Sequence, residues 1–198
     1  MRSIVLLLAV LLLGGCAAEL EHDESAVEDP NAPIQTLDQD GDVITTQVDA
    51  QSDAKWIYMD LESNEEVTPD DPDDDESWDI AFQRFEIKLN GGVSGSGGVE
   101  VEVLEDAFDD VDVGPESGFI TDGEDSEEDE NDKPDLAFGS GDTGWYDYNV
   151  TNHTLSPRAF TYVLKTVEGG FYKLAILDYY DDAGTSGFMT LQWAPLED

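Results

Sequence analysis

Few side chains in this 198-residue sequence are equipped for chemistry beyond carrying charge. It has one thiol, Cys16, two imidazoles, His22 and His153, and two thioethers beyond the initiating residue, Met59 and Met189. Carboxylates are abundant instead: 48 acidic residues face 8 basic ones, a formal net charge of −40. With so many acids, any pair chosen for glycoside hydrolysis is uninformative. The sequence has no Gly-x-Ser-x-Gly, no His-Glu-x-x-His and no phosphate-binding glycine loop, so the common hydrolytic and phosphoryl-transfer machineries are missing. The expectation is a protein that binds and does not catalyse. Asp38-Gln39-Asp40-Gly41-Asp42 has the flavour of a calcium loop but lacks the later bidentate glutamate, and reads as a solvated turn.

Cys16 gains a meaning from what precedes it. Met1-Arg2-Ser3 brings one positive charge, and Ile4 to Leu13 is an unbroken apolar run of ten residues. A helix of that length spans about 15 Å, half of a hydrocarbon core of about 30 Å, so residues 1–15 read as a cleaved signal rather than a permanent span. Leu13-Gly14-Gly15-Cys16 resembles the lipobox of bacterial lipoproteins, in which the cysteine is acylated and becomes the new N-terminus. Lipidation at Cys16 would attach the protein to a membrane, and multiple chains on one residue satisfy the need for more than one anchor. As the sole cysteine it leaves no disulfide, so stability must come from a packed core.

The charge limits partners. Loss of Arg2 with the signal takes the mature chain to −41, and no basic patch is visible. Such a surface cannot gain affinity from phosphate counterion release, which excludes nucleic acid. Self-repulsion favours a monomer. The acids cluster in Glu19 to Asp53, Asp60 to Asp79 and Glu100 to Asp135, whereas the last 57 residues hold only 8 and are left free to build regular structure.

Residues 16–54 are acidic, contain Pro30 and Pro33, show no sustained period, and read as a flexible tether. A domain is expected over 55–198. In Trp56 to Leu61 aromatic and aliphatic residues alternate, as on a strand with one aromatic face. Glu62 to Ser77 reads as a loop. Trp78 to Leu89 reads as one strand whose large apolar residues change phase near Gln83-Arg84, suggesting a bulge or bend. Val99 to Val103 alternates strictly. Asp106 to Asp142 is irregular, with a nearly all-acidic centre. Phe160 to Thr166, Phe171 to Tyr180 and Gly187 to Trp193, separated by glycine-containing turns, form an antiparallel meander. The predicted class is mainly β: antiparallel sheets with long acidic loops.

Several segments, in this order, resemble the HmuY-like family of bacterial haem-binding lipoproteins: Trp56-Ile57-Tyr58, Trp78-Asp79-Ile80-Ala81-Phe82, Asn90-Gly91-Gly92, Gly118 to Asp122, Trp145 with Tyr148, and Tyr172-Lys173-Leu174 followed by Tyr179-Tyr180. The resemblance implies a largely antiparallel β fold and haem capture at the outer membrane through two axial ligands, with an outer-membrane receptor as a further partner. Members often place a histidine directly after Trp-Asp-Ile-Ala-Phe, and here that position is Gln83. His22 lies in the tether, so His153 becomes the candidate iron ligand, with Met59 and Met189 as candidate partners. The propionates would draw on Arg84, Lys88, Arg158, Lys165 and Lys173. Tyr146, Tyr148 and Tyr180 are the candidate ligand contacts, while the tryptophans read as core. The alternative implied by the departures is a lipoprotein of the same fold, structural or binding a sugar, calcium or a protein.

Overall fold

The computed structural model describes residues 29, 31–126, 133–139 and 141–197, so Cys16, His22 and the signal segment lie outside the described residues. Twelve strands and one 3-10 turn follow in chain order: β1 (Ile34–Asp40), β2 (Val43–Asp49), β3 (Ile57–Asp60), β4 (Glu65–Val67), β5 (Ile80–Gln83), β6 (Glu86–Leu89), β7 (Glu100–Leu104), the 3-10 turn Phe108–Asp110, β8 (Tyr146–Asn149), β9 (Thr154–Pro157), β10 (Thr161–Lys165), β11 (Phe171–Tyr180) and β12 (Ser186–Pro195). Among the described residues, every pairing between these strands is antiparallel. They make a six-stranded sheet in the order β1-β2-β12-β11-β10-β7, a four-stranded sheet in the order β4-β3-β5-β6, and the separate β8-β9 hairpin. The mainly β expectation and the meander of β10, β11 and β12 hold.

One core serves both sheets. Val48, Leu164, Leu174 and Leu191 from the larger sheet meet Met59, Ile80, Phe82, Ile87 and Leu89 from the smaller, with Trp145 between elements. In β3 the aliphatic face (Ile57, Met59) is the buried one, and Tyr58 on the other face packs edge-on against Trp78 with centroids 4.9 Å apart.

Three sequence expectations need correction. The tether stops short of Ile34, because β1 and β2 form a hairpin whose second strand pairs with β12 from Asp49–Phe188 to Ile44–Trp193. Thr and Gln fill the strand without an apolar run, and only the partner strand buries it. Thr46 shows how: its hydroxyl accepts a bond from Trp193 Nε1 at 3.1 Å. Asp38–Asp42 is the tip of this hairpin, with Gly41 (φ 63°) as first central residue of the two-residue turn. Secondly, the phase change at Gln83-Arg84 is a full reversal. Gln83 pairs with Glu86 and Ile80 with Leu89, so Trp78 to Leu89 is two strands around Arg84-Phe85. Arg84 adopts φ 54°, held by its N–H to Ala50 O (2.7 Å) and its guanidinium to Gln51 O and Ser186 Oγ (both 3.0 Å). Lastly, the loop after Leu61 contains the short strand β4, and the Asn149–Pro157 turn region contains β9.

Candidate functional site

The residues carrying the resemblance work first as scaffold. Asp79, 1% exposed, accepts the N–H groups of Leu61 and Val167, both at 2.9 Å, tying the small sheet to the turn after β10. Asn90 is fully buried; its amide donates to Asp75 O and Trp78 O and accepts from Gly97 N–H. A side chain at Gly92 (φ 62°) would meet Asp122 O at 1.9 Å, so the chain crosses itself there only because of glycine. Asp122, also 1% exposed, accepts from Leu89 N–H (3.0 Å) and Ala137 N–H (2.8 Å). Burial raises the pKa of both aspartates, against their backbone hydrogen bonds.

This frame sets up a two-lobed cleft beside the β5-β6 turn. The larger lobe, about 600 Å³, lies among Phe85, Ile120, Leu136 and Tyr146, with Glu86, Thr121 and Asp135 as polar lining. The smaller, about 380 Å³, lies among Trp56, Gln83, Lys88, Val93, Ser94 and Lys133. Glu86, Pro134 and Leu136 line both, so the lobes meet there. Both fall within the size range of small-molecule sites, about 300–1,000 Å³. Phe85 is locked in place from behind: Trp145 Nε1 donates to Phe85 O at 2.9 Å, and Tyr146 sits edge-on to its ring at 5.9 Å. Phe85 and Ile120 remain 43% and 39% exposed, an apolar lining open to a ligand rather than part of the core.

In the smaller lobe Lys88 Nζ stands 4.9 Å from the Trp56 ring centroid and 5.1 Å from those of Tyr58 and Trp78. Burial pulls its pKa down, while Asp73 and Asp122 pull it back up. Lys133 Nζ bonds Glu86 Oε1 at 3.2 Å on the shared wall.

Tyr146, Tyr148, His153 and Tyr180 gather around one hairpin. Tyr146 and Tyr148 share a face of β8, and the Tyr148 hydroxyl and His153 Nδ1 are hydrogen-bonded to each other. His153 is exposed at the turn with φ 59°, its N–H donating to Asn149 O. Tyr180 accepts the Leu155 N–H at 3.0 Å and stands edge-on to Tyr179. Of the four, Tyr146 alone lines the cleft. Met59 and Met189 are fully buried in the core, which corrects their reading as iron ligands: no ligand reaches either sulfur without opening the domain. The other sequence-proposed cations are spread apart. Arg84 and Arg158 are bonded elsewhere, Lys165 is exposed on β10, and Lys173 is buried on Phe108 O and Val111 O, leaving Lys88 in the cleft.

A second group of acids, Asp60, Glu62 and Asp79, brings carboxylate oxygens within 4.8 Å of one another. Asp60 is engaged by Glu62 N–H and Ser63 Oγ, and Glu62 accepts from Thr166 Oγ1 at 2.7 Å. Partial burial, with Asp79 and Glu168 nearby, pushes Glu62 up to about 7. Glu62 and Asp79 strap the smaller sheet to the turn after β10, whereas Asp60 bonds only within its own turn.

The HmuY protein family matches residues 52–193. The chain belongs to this family. Solved structures agree: a candidate lipoprotein from Bacteroides fragilis NCTC 9343 is 22% identical, with a TM-score of 0.59 over 84% of this chain and 98% of that one. A candidate HmuY-like haem-binding protein from Bacteroides vulgatus ATCC 8482 is 19% identical, TM-score 0.57, covering 84% of this chain and 100% of its own. The apo HmuY analogue of Tannerella forsythia is 16% identical, TM-score 0.58, covering 81% and 100%. At these identities the likeness establishes the fold. No curated protein matches. Among the described residues, no helix is long and apolar enough to cross a membrane.

Sequence reasoning missed Phe85, Ile120 and Leu136. The only local signal was a large apolar residue at a turn, which alternation alone assigns to a strand face.

Proposed function

We propose that this HmuY-family chain is an envelope lipoprotein, anchored in the outer membrane through Cys16, that captures haem or a closely related flat tetrapyrrole without transforming it. The observation that carries the reading is the cleft of about 600 Å³ beside the family's own sequence run, edged by exposed Phe85 and Ile120 and by Tyr146. Haem brings an iron that takes axial donors. Among the described residues His153 is the one imidazole, presented from the hairpin that begins at Tyr146. Ligation through Nε2 requires the tautomer whose Nδ1–H donates to the Tyr148 oxygen, so Tyr148 would orient the ring. His153 lines neither lobe, so it would serve the iron only for a haem that extends from the cleft past Tyr146 onto the hairpin; the buried core thioethers do not fit as a second donor.

Gln83 at the histidine position favours a second reading, in which the same cleft takes a flat apolar ligand without metal ligation. Titration with haemin separates the two. A saturable, sharpened Soret band that changes in His153→Asn supports iron ligation. An unchanged band in the variant moves the case to the second reading, and no saturable change at about 10 μM haemin ends the haem reading.

A further inference from the structure

We propose that Lys88 anchors a carboxylate: the smaller lobe takes the acid group of a flat, largely apolar ligand, which in a tetrapyrrole is a propionate. The inference rests on the reading of the cleft as a tetrapyrrole site and names how that ligand is held.

The basic groups of the described residues divide by what they already do. Lys55, Lys133 and Arg158 are ion-paired with Glu66, Glu86 and Asp147. Arg84 bonds Gln51 O and Ser186 Oγ, and Lys173 bonds Phe108 O and Val111 O. Lys165 is exposed to water on β10. Lys88 differs from all of them. It is half-buried, its ammonium is walled by three aromatic rings at 4.9–5.1 Å, and among the described residues it makes no hydrogen bond and no ion pair.

An ammonium has three donors, and ring faces stabilise its charge without accepting all of them. Aspartates do not fill the gap. Asp122 turns its oxygens to the Leu89 and Ala137 N–H groups, and it and Asp73 act on Lys88 through their field without bonding it. A half-buried cation lacking an acceptor gains most from an incoming anion, and the lobe that admits one opens beside it.

The surroundings select the anion. Trp56, Val93 and Leu136 offer apolar surface for the body of the ligand, whereas Asp73 and Glu86 line the same lobe and repel a multiply charged phosphate. A single carboxylate on a flat apolar frame satisfies both constraints. In a chain of net charge −40, this is where such a group meets an unshared positive charge inside the cleft.

The test uses the full chain and two metal-free porphyrins, protoporphyrin IX and its dimethyl ester, followed by fluorescence. The wild-type protein is expected to prefer the diacid by about tenfold. Lys88→Met removes that preference, and Lys88→Arg restores it; thermal melts confirm that each variant is folded. Equal binding of diacid and diester by the wild type, or a preference that survives in a folded Lys88→Met, overturns the inference while leaving the tetrapyrrole reading in place. If the Met variant does not fold, the wild-type comparison of the two porphyrins decides. Failure of both porphyrins to bind the wild type removes the tetrapyrrole reading and this inference together.

Discussion

Two regions around the smaller sheet treat polar groups in opposite ways. In the interior, Asp79, Asn90 and Asp122 are buried and each makes at least two hydrogen bonds to backbone groups of distant segments. At the cleft, Lys88 is half-buried with its donors unshared, and Phe85 and Ile120 expose apolar surface. Satisfied groups in the first region specify the fold. Unsatisfied groups in the second are open to a ligand, and the resemblance segments reach both regions: Asp79, Asn90 and Asp122 build the frame, while Trp56 and Ile120 line the cleft and Trp78 walls its lysine.

The contrast is broken most forcefully from inside. Met59→Ala empties a fully buried position and should cost about 2–5 kcal/mol in urea denaturation. The surviving folded protein should show an unchanged haemin spectrum; a spectral change without loss of stability would return the methionine to the site. Asp122→Ala leaves two buried N–H groups without acceptors and should cost about 2–4 kcal/mol. Stability within about 0.5 kcal/mol of wild type would show that Asp122 does not hold the cleft walls.

A smaller effect sharpens the role of the carboxylate strap. Glu62 moves from its ordinary 4.5 to about 7 in the folded protein, chiefly by partial burial. The folded state thus binds this proton more tightly than the unfolded chain does. Its contribution is fully present below about pH 4.5 and is lost as pH rises through about 7. Asp79 and Asp122 are raised in the same direction, so the fold should be more stable in mild acid than at pH 8. Because Glu62 sits at the surface, its share is about 1 kcal/mol or less after screening. Chemical denaturation of Glu62→Gln across pH 4.5 to 8 should give a flatter profile than wild type; an identical slope would remove Glu62 from the account. The least disruptive change is His153→Asn, since asparagine tolerates the left-handed backbone at φ 59°. Its melting curve should coincide with wild type within about 0.5 kcal/mol while the haemin spectrum shifts. A fall in stability instead would make the Tyr148 contact a structural one.

The sequence by itself determined the β class, the meander of β10 to β12 and the two faces of β3. Each rests on a period of two or on residue types, which are local properties of the chain. Tertiary structure decided what depends on contacts between distant segments. The phase change after Phe82 is compatible with a bulge or a hairpin until Arg84 N–H is placed on Ala50 O. The polar strands of Ile34–Asp49 gain their burial from β12, about 140 residues away, so no window around them announces a sheet. Alternation marks Met59 and Met189 as inward, but whether inward means core or cleft is set by what packs opposite. The cleft brings Phe85, Ile120, Leu136 and Tyr146 together from four segments, and the free charge of Lys88 exists only because every nearby carboxylate is engaged elsewhere or stands too far away to bond it.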